Sequence, residues 1–262
     1  MTDTVRLHYV ERGEGQPVLL LHGFPLDHTI WEAQIEALSA RWHVIAPDLR
    51  GHGQSPIWGG VFTMEDMAAD VAALLDELGI ERAAWVGHSM GGYVAMAALR
   101  TLPERVAGVG MVATHPFADS PEKRTQRELS AQQVLSEGVD ALVDAMLGVL
   151  FAPETPPEAD YVQRVAAIMR RTSPQGVAAA LRGMAARPSS VETLLSARVP
   201  MIFIAGEHDR IVTRDMLRRI ADQLPPIPMR RIAGAGHMPM LEQPDATSAA
   251  LDDFLAEVFS GM

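Results

Sequence analysis

The chain predicts an α/β fold, a doubly wound and mostly parallel sheet with an inserted helical cap, and three observations predict it. Short apolar runs with Gly or Pro at their borders alternate with amphipathic helical stretches, the pattern of a parallel sheet covered by helices on both faces. In the middle of the chain strand character disappears, and the sequence becomes helical, methionine-rich and punctuated by prolines. At 262 residues, 48% hydrophobic and 21% charged, the chain can bury the core of one large domain carrying an insertion.

The first strand is expected at 18–21, where Val18-Leu19-Leu20-Leu21 is closed by His22-Gly23, and the second at 43–46, where His43-Val44-Ile45-Ala46 runs into Pro47. Continuous apolar runs of this length suit strands buried on both faces. A helix follows: Thr63 is its expected N-cap, Met67, Val71, Leu74, Leu75 and Leu78 share one face, and Gly79 stands at the C′ stop. Strands at 83–86 and 106–112 come next. From His115 to Ser196 the chain reads as a helical cap, 115–196, inserted between the two parts of a core, 1–114 and 197–262. Within it Val139, Leu142, Val143, Met146, Leu147 and Leu150 recur at helical spacing with Asp140 and Asp144 on the wet side. Ser173-Pro174 then supplies an N-cap and a first-turn proline, opening a helix with Val177, Leu181 and Met184 inward. The segment from Pro153 to Pro157 is the expected flexible link of the cap. Strands resume at 200–205 and 229–232.

Composition excludes several classes of function. Net charge is −11, from 33 acidic and 22 basic residues spread along the chain, so nucleic acid and anionic membrane surfaces are not expected partners. Lys123 is the only lysine, a bias that fits genome composition better than guanidinium chemistry and carries no functional weight. The absence of cysteine removes disulfides, thiolate metal sites and thiol nucleophiles. Met1 to Arg6 leads into polar residues without the apolar stretch of a signal peptide, and no run reaches the length of a membrane span, so a cytoplasmic protein is expected. The glycine-rich segments match no nucleotide-binding loop, and no His-x-x-x-His or His-Glu-x-x-His pair occurs, so neither a cofactor nor a metal is expected.

The segment that carries chemistry is Gly87-His88-Ser89-Met90-Gly91-Gly92, set between the strand at 83–86 and a helix-like run from Tyr93 to Leu99. A strand, tight turn and helix with one serine at the crest is a nucleophile elbow, in which the serine backbone is strained and the flanking glycines leave room for the turn. Chance alone would produce about 0.08 matches to Gly-x-Ser-x-Gly in a chain of this composition. A serine hydroxyl is a weak nucleophile until a base, oriented by a carboxylate, takes its proton. Asp209, in Gly206-Glu207-His208-Asp209, follows the strand at 200–205, at the carboxyl edge where open α/β sheets carry their ligands. His237, in Gly234-Ala235-Gly236-His237, follows the last strand on a loop that can swing an imidazole over the same edge. Glu207 is an alternative acid, and Asp209 could instead cap the helix near Thr213. After the strand ending at Val112, Ala113-Thr114-His115 offers no carboxylate. His22 and His88 read as structural, bonding loop backbone, and His52 and His208 as surface or turn residues.

On these residues the chain resembles the α/β-hydrolase superfamily over nearly its whole length. The order Ser89, Asp209, His237 is that of the superfamily's triad. His22-Gly23-Phe24-Pro25 stands where its oxyanion loop does, which implies the backbone N–H groups of Phe24 and Met90 as the oxyanion hole. Asp48-Leu49-Arg50-Gly51-His52-Gly53-Gln54-Ser55 resembles the turn that shapes the loop after the next strand. The resemblance implies a serine esterase or lactonase acting on a small-molecule carboxylic ester or lactone. Met146, Phe151 and Met184 are candidate substrate-binding residues of the cap, together with Met169, and packing of the cap helices on one another is the competing role. Haloalkane dehalogenases and epoxide hydrolases carry aspartate at the elbow, and hydroxynitrile lyases carry lysine after the histidine, where Met238 stands here. Two other readings stay open on the same fold: a ligand receptor of low turnover, and a cofactor-free perhydrolase or haloperoxidase.

Overall fold

A computed structural model of the chain describes residues 4–260. The expectation drawn from Met1 to Arg6 therefore lies, for its first three residues, outside the described residues. In chain order the strands are β1 (Tyr9–Arg12), β2 (Pro17–Leu21), β3 (His43–Pro47), β4 (Ala83–His88), β5 (Val106–Val112), β6 (Met201–Gly206) and β7 (Met229–Ile232). The helices are α1 (Glu32–Leu38), α2 (Met64–Glu77), α3 (Met90–Thr101), α4 (Pro121–Glu137), α5 (Asp140–Leu150), α6 (Asp160–Arg171), α7 (Pro174–Ala186), α8 (Val191–Ser196), α9 (Arg214–Gln223), α10 (Pro239–Glu242) and α11 (Pro244–Val258).

Among the described residues seven strands form one sheet in the order β1-β3-β2-β4-β5-β6-β7. All neighbours run parallel except β1, which lies antiparallel to β3 with Tyr9 opposite Pro47. β4 and β5 are buried at every position, as central strands covered on both faces must be, and this is why they read as unbroken apolar runs. β1 has no such signature: its four residues are half-buried or exposed at the sheet edge, where a strand needs no apolar run. α2 packs on α3 and α1 on α11, which covers the sheet in a doubly wound arrangement.

The helix expected after Thr63 forms as α2, with a full capping box: Asp66 N–H donates to Thr63 Oγ1 at 3.1 Å and Thr63 N–H to Asp66 Oδ2 at 2.8 Å. Gly79 ends it at φ 69°. Between β5 and β6 the described residues hold five helices and no strand, with α4 against α7 and α5 against α6. Ser173 accepts the Gly176 N–H at 3.0 Å ahead of α7, and Asp140 and Asp144 face outward to pair with Arg170 on α6. The stretch from Pro153 to Pro157 is tethered rather than a free link, because Ala152 N–H and Thr155 Oγ1 donate to Glu242 Oε1 at 2.7 and 2.9 Å. No helix among the described residues is long and apolar enough to cross a membrane.

The loop after β3 is built around two buried carboxylates. Asp48 accepts the N–H groups of His28 and Gln54 at 2.9 Å each, and Ser55 Oγ donates to the Asp48 carbonyl at 2.6 Å. Asp70 on α2 takes a bidentate pair from Arg50, 2.7 Å from both Nε and Nη2. These bonds join the loop at 48–55 to the flank of the sheet that carries the site.

Candidate active site

Ser89 leaves β4 with φ 49° and ψ −109°, a left-handed backbone rare outside glycine. Its surroundings hold it there. Ser89 N–H donates to the Val112 carbonyl at 2.9 Å, and its own carbonyl accepts from Gly92 N–H at 3.0 Å and Thr114 Oγ1 at 2.8 Å. A Cβ on Gly87 would lie 2.2 Å from the Gly91 carbonyl carbon, and one on Gly91 would lie 2.4 Å from the Leu21 carbonyl oxygen, so strand and helix can meet this closely only without side chains. The elbow expected from sequence is therefore present in both its strain and its crowding.

The carboxylate beside His237 is that of Asp209. His237 Nδ1–H donates to Asp209 Oδ2 at 2.8 Å, with both side chains buried. The other oxygen, Oδ1, accepts Ile211 and Val212 N–H at 2.7 and 2.9 Å, which locks the carboxylate in a turn. Burial alone would raise the Asp209 pKa, but the His237 charge and hydrogen bond and the two amides outweigh it and hold the pKa below the ordinary range. The alternative acid, Glu207, pairs instead with Arg231 at 3.2 Å and accepts Gly234 N–H. Capping near Thr213 is also taken: α9 is capped by Thr213 itself. With Nδ1–H committed to Asp209, Nε2 is the ring atom left to exchange a proton.

Three further histidines surround this pair, all neutral by burial. His88 Nε2–H donates to the His237 carbonyl at 2.9 Å, so the residue next to the serine positions the loop of the imidazole. Burial, and then the neighbouring His237, pushes the His88 pKa down to about 3. His22 donates Nδ1–H to the Gly23 carbonyl and accepts Leu49 N–H on Nε2 at 2.8 Å, the structural role expected of it. His52 lies in a turn, one of the two places expected of it. It is buried, not on the surface, with its ring against His22 and Phe24, because the turn at 48–55 folds inward under the loop at 22–27. His208 is half-buried in its turn, 3.9 Å from Glu207.

Ser89 and His237 open into one cavity of about 310 Å³. Phe24 lines it, in a loop held from α6 by a hydrogen bond from Thr172 Oγ1 to the Pro25 carbonyl at 3.0 Å and by an ion pair between Arg171 and Asp27. Met90 is the first residue of α3, whose N–H the helix itself does not use. Met146 and Met184 line the cavity. Phe151 does not. It is the C-cap of α5, its extended backbone turns its ring toward Tyr161, and it borders a separate hollow with Ala152 and Val162. Met169 is fully buried among the helices. Sequence reasoning missed Tyr93, Lys123 and Arg127 on the cavity wall, having given the lone lysine no functional weight. One group of possible metal ligands comes together among the described residues, His8, His28 and Asp48, and none of the three lines this cavity. Each ring donates Nδ1–H to an Asp48 oxygen, at 3.0 and 2.7 Å.

Comparison with known proteins identifies the fold family. The family model described as alpha/beta hydrolase fold matches residues 16–244. The chain is similar to a thermophilic esterase from Thermogutta terrifontis, solved with malate bound, at a TM-score of 0.92 and 38% identity over 96% of this chain and 93% of that one. It is similar to an enol-lactonase from Burkholderia xenovorans at a TM-score of 0.84 and 30% identity, covering 95% and 96% of the two chains. It is also 30% identical to epoxide hydrolase A of Mycobacterium tuberculosis, with 97% of this chain and 95% of the relative covered.

Proposed function

The chain belongs to the alpha/beta hydrolase fold family, and from that premise we propose that it is a serine hydrolase cleaving small-molecule carboxylic esters or lactones through an acyl-enzyme on Ser89. One observation carries the reading: a strained serine and a histidine already bonded to a buried aspartate face the same cavity.

In this mechanism Ser89 Oγ attacks the acyl carbon while His237 Nε2 takes its proton. Asp209 holds the ring by Nδ1–H and stabilises the imidazolium that forms. The backbone N–H groups of Phe24 and Met90 receive the oxyanion, a contribution worth about 10² to 10³ in rate per donor. The proton on His237 passes to the leaving alkoxide, and water activated by the same ring then releases the acid. Met146 and Met184 contact the apolar part of the substrate, and a cavity of about 310 Å³ suits a small one. The helical stretch 115–196 acts as a cap over this space. Serine at the elbow argues against the aspartate nucleophile that the resemblance associates with epoxide hydrolases.

A fluorophosphonate probe should label Ser89, and short p-nitrophenyl esters should turn over with an initial burst. Ser89→Ala should keep the fold and lose about 10⁶ in kcat. Labelling at another residue, or turnover that survives Ser89→Ala, would overturn the assignment. Stoichiometric binding of esters without turnover would point to a receptor instead.

A further inference from the structure

The cavity has a cationic wall that a neutral ester does not need. Resting on the ester-hydrolase reading above, we propose that the preferred substrates carry a second, ionised carboxylate, which sits against Lys123 and Arg127 on α4.

The argument begins with charge. Lys123, Gln126 and Arg127 line the same cavity as Ser89 and His237, whose lining also includes the apolar Leu142 and Met146. Behind this wall Asp119 serves two guanidinium groups at once, Arg127 through one oxygen and Arg187 through the other. The neighbouring carboxylates are committed elsewhere, Glu122 to Ser120 and Glu128 to Arg182. Among the described residues the Lys123 ammonium donates to the neutral Gln126 Oε1, at 3.2 Å, and feels the Asp119 charge only at longer range. Arg127 and Arg187 thus share one carboxylate, and Lys123 stands near them as a third cation, in a chain whose overall charge is −11.

The surroundings register that surplus. Partial burial and then Arg127 hold Lys123 below the usual lysine range. His115, bonded to the cavity residue Tyr93, is pushed down to about 3 by burial and then by Arg187. An arriving carboxylate would offset the repulsion between Lys123 and its guanidinium neighbour and would gain charge-assisted hydrogen bonds from the lysine. Apolar acyl chains would gain nothing from a cation at this wall and would strip part of its water. The placement of the chain's single lysine on this wall is the residue-level signature of the subsite.

The test pairs substrates with equal numbers of heavy atoms: monoethyl glutarate against ethyl 5-methylhexanoate, and 3-acetoxypropanoate against 3-methylbutyl acetate. These put the extra carboxylate on the acyl side and on the alcohol side. We expect kcat/KM to favour the anionic member of at least one pair by about tenfold or more. Lys123→Gln should cut that ratio by about tenfold, and Lys123→Glu should invert it. The net negative charge of the protein works the other way, so a preference for the anion reports the local wall. A ratio of one or less in both pairs, or a ratio unchanged in Lys123→Gln, would sink the proposal while leaving ester hydrolysis standing. Should no ester turn over, calorimetry of glutarate with Ser89→Ala decides the subsite on its own. Binding lost on adding Lys123→Gln supports it, and no binding, or binding indifferent to Lys123, overturns it.

Discussion

Ser89 keeps a backbone conformation that costs a non-glycine residue about 1–3 kcal/mol, and it does so because Val112, Gly92 and Thr114 hold both its peptide groups. The same crowding makes the elbow fragile. Gly91→Ala would set a methyl 2.4 Å from the Leu21 carbonyl, and should lower stability by about 1–3 kcal/mol, read as a drop in urea midpoint, together with activity. Asp209→Asn should leave the circular dichroism unchanged while kcat falls by about 10² to 10⁴, because an amide cannot hold the Nδ1–H tautomer of His237. Full activity in Asp209→Asn would remove that residue from the mechanism. At this scale the sequence was legible wherever the chemistry is contiguous, as in Gly87 to Gly92. It was not legible for Phe151, since one residue past a helix end the backbone, and not the helical period, sets where the ring points.

α2 shows both sides of legibility within one element. Its start, its stop and its apolar face follow from local rules, and Thr63→Ala should cost about 0.5–2 kcal/mol through the lost cap. Yet Asp70 lies in the buried surface of that helix, a position that local rules reserve for apolar residues. Its partner, Arg50, stands on the loop after β3 and binds it with two hydrogen bonds of 2.7 Å. Asp70→Asn should therefore cost about 3–5 kcal/mol in urea unfolding, since the buried bidentate charge pair with Arg50 would be broken. A loss near zero would mean that this pair does not hold the loop at 48–55. Strand β1 escaped expectation for a related reason: its place at the edge is set by pairing with β3, to which it contributes few buried side chains.

Across the whole molecule, buried histidines set the response to acid. His52, His88 and His115 are each pushed from 6.5 to about 3, first of all by burial. Between those values the unfolded chain binds protons that the folded one refuses, so stability present above pH 6.5 is lost as pH falls, by up to about 1.4 kcal/mol per pH unit for each ring. Asp209, with its lowered pKa, extends the loss below the ordinary carboxylate value. His28 opposes it: the hydrogen bond to Asp48 raises its pKa, a contribution complete at low pH and lost as pH rises through the folded value. Urea midpoints between pH 7.5 and 4.5 should fall more steeply than one proton allows, and a flat profile would refute the neutral, buried state of these rings. By itself the sequence determined the fold class, the elbow and the loops bearing Asp209 and His237, because alternation, glycine spacing and caps act between residues near in the chain. Only the tertiary structure decided that Asp209 and not Glu207 meets His237, that His52 is buried and that Lys123 faces the cavity. Each of these depends on how distant segments pack in space, and no local spacing encodes that distance.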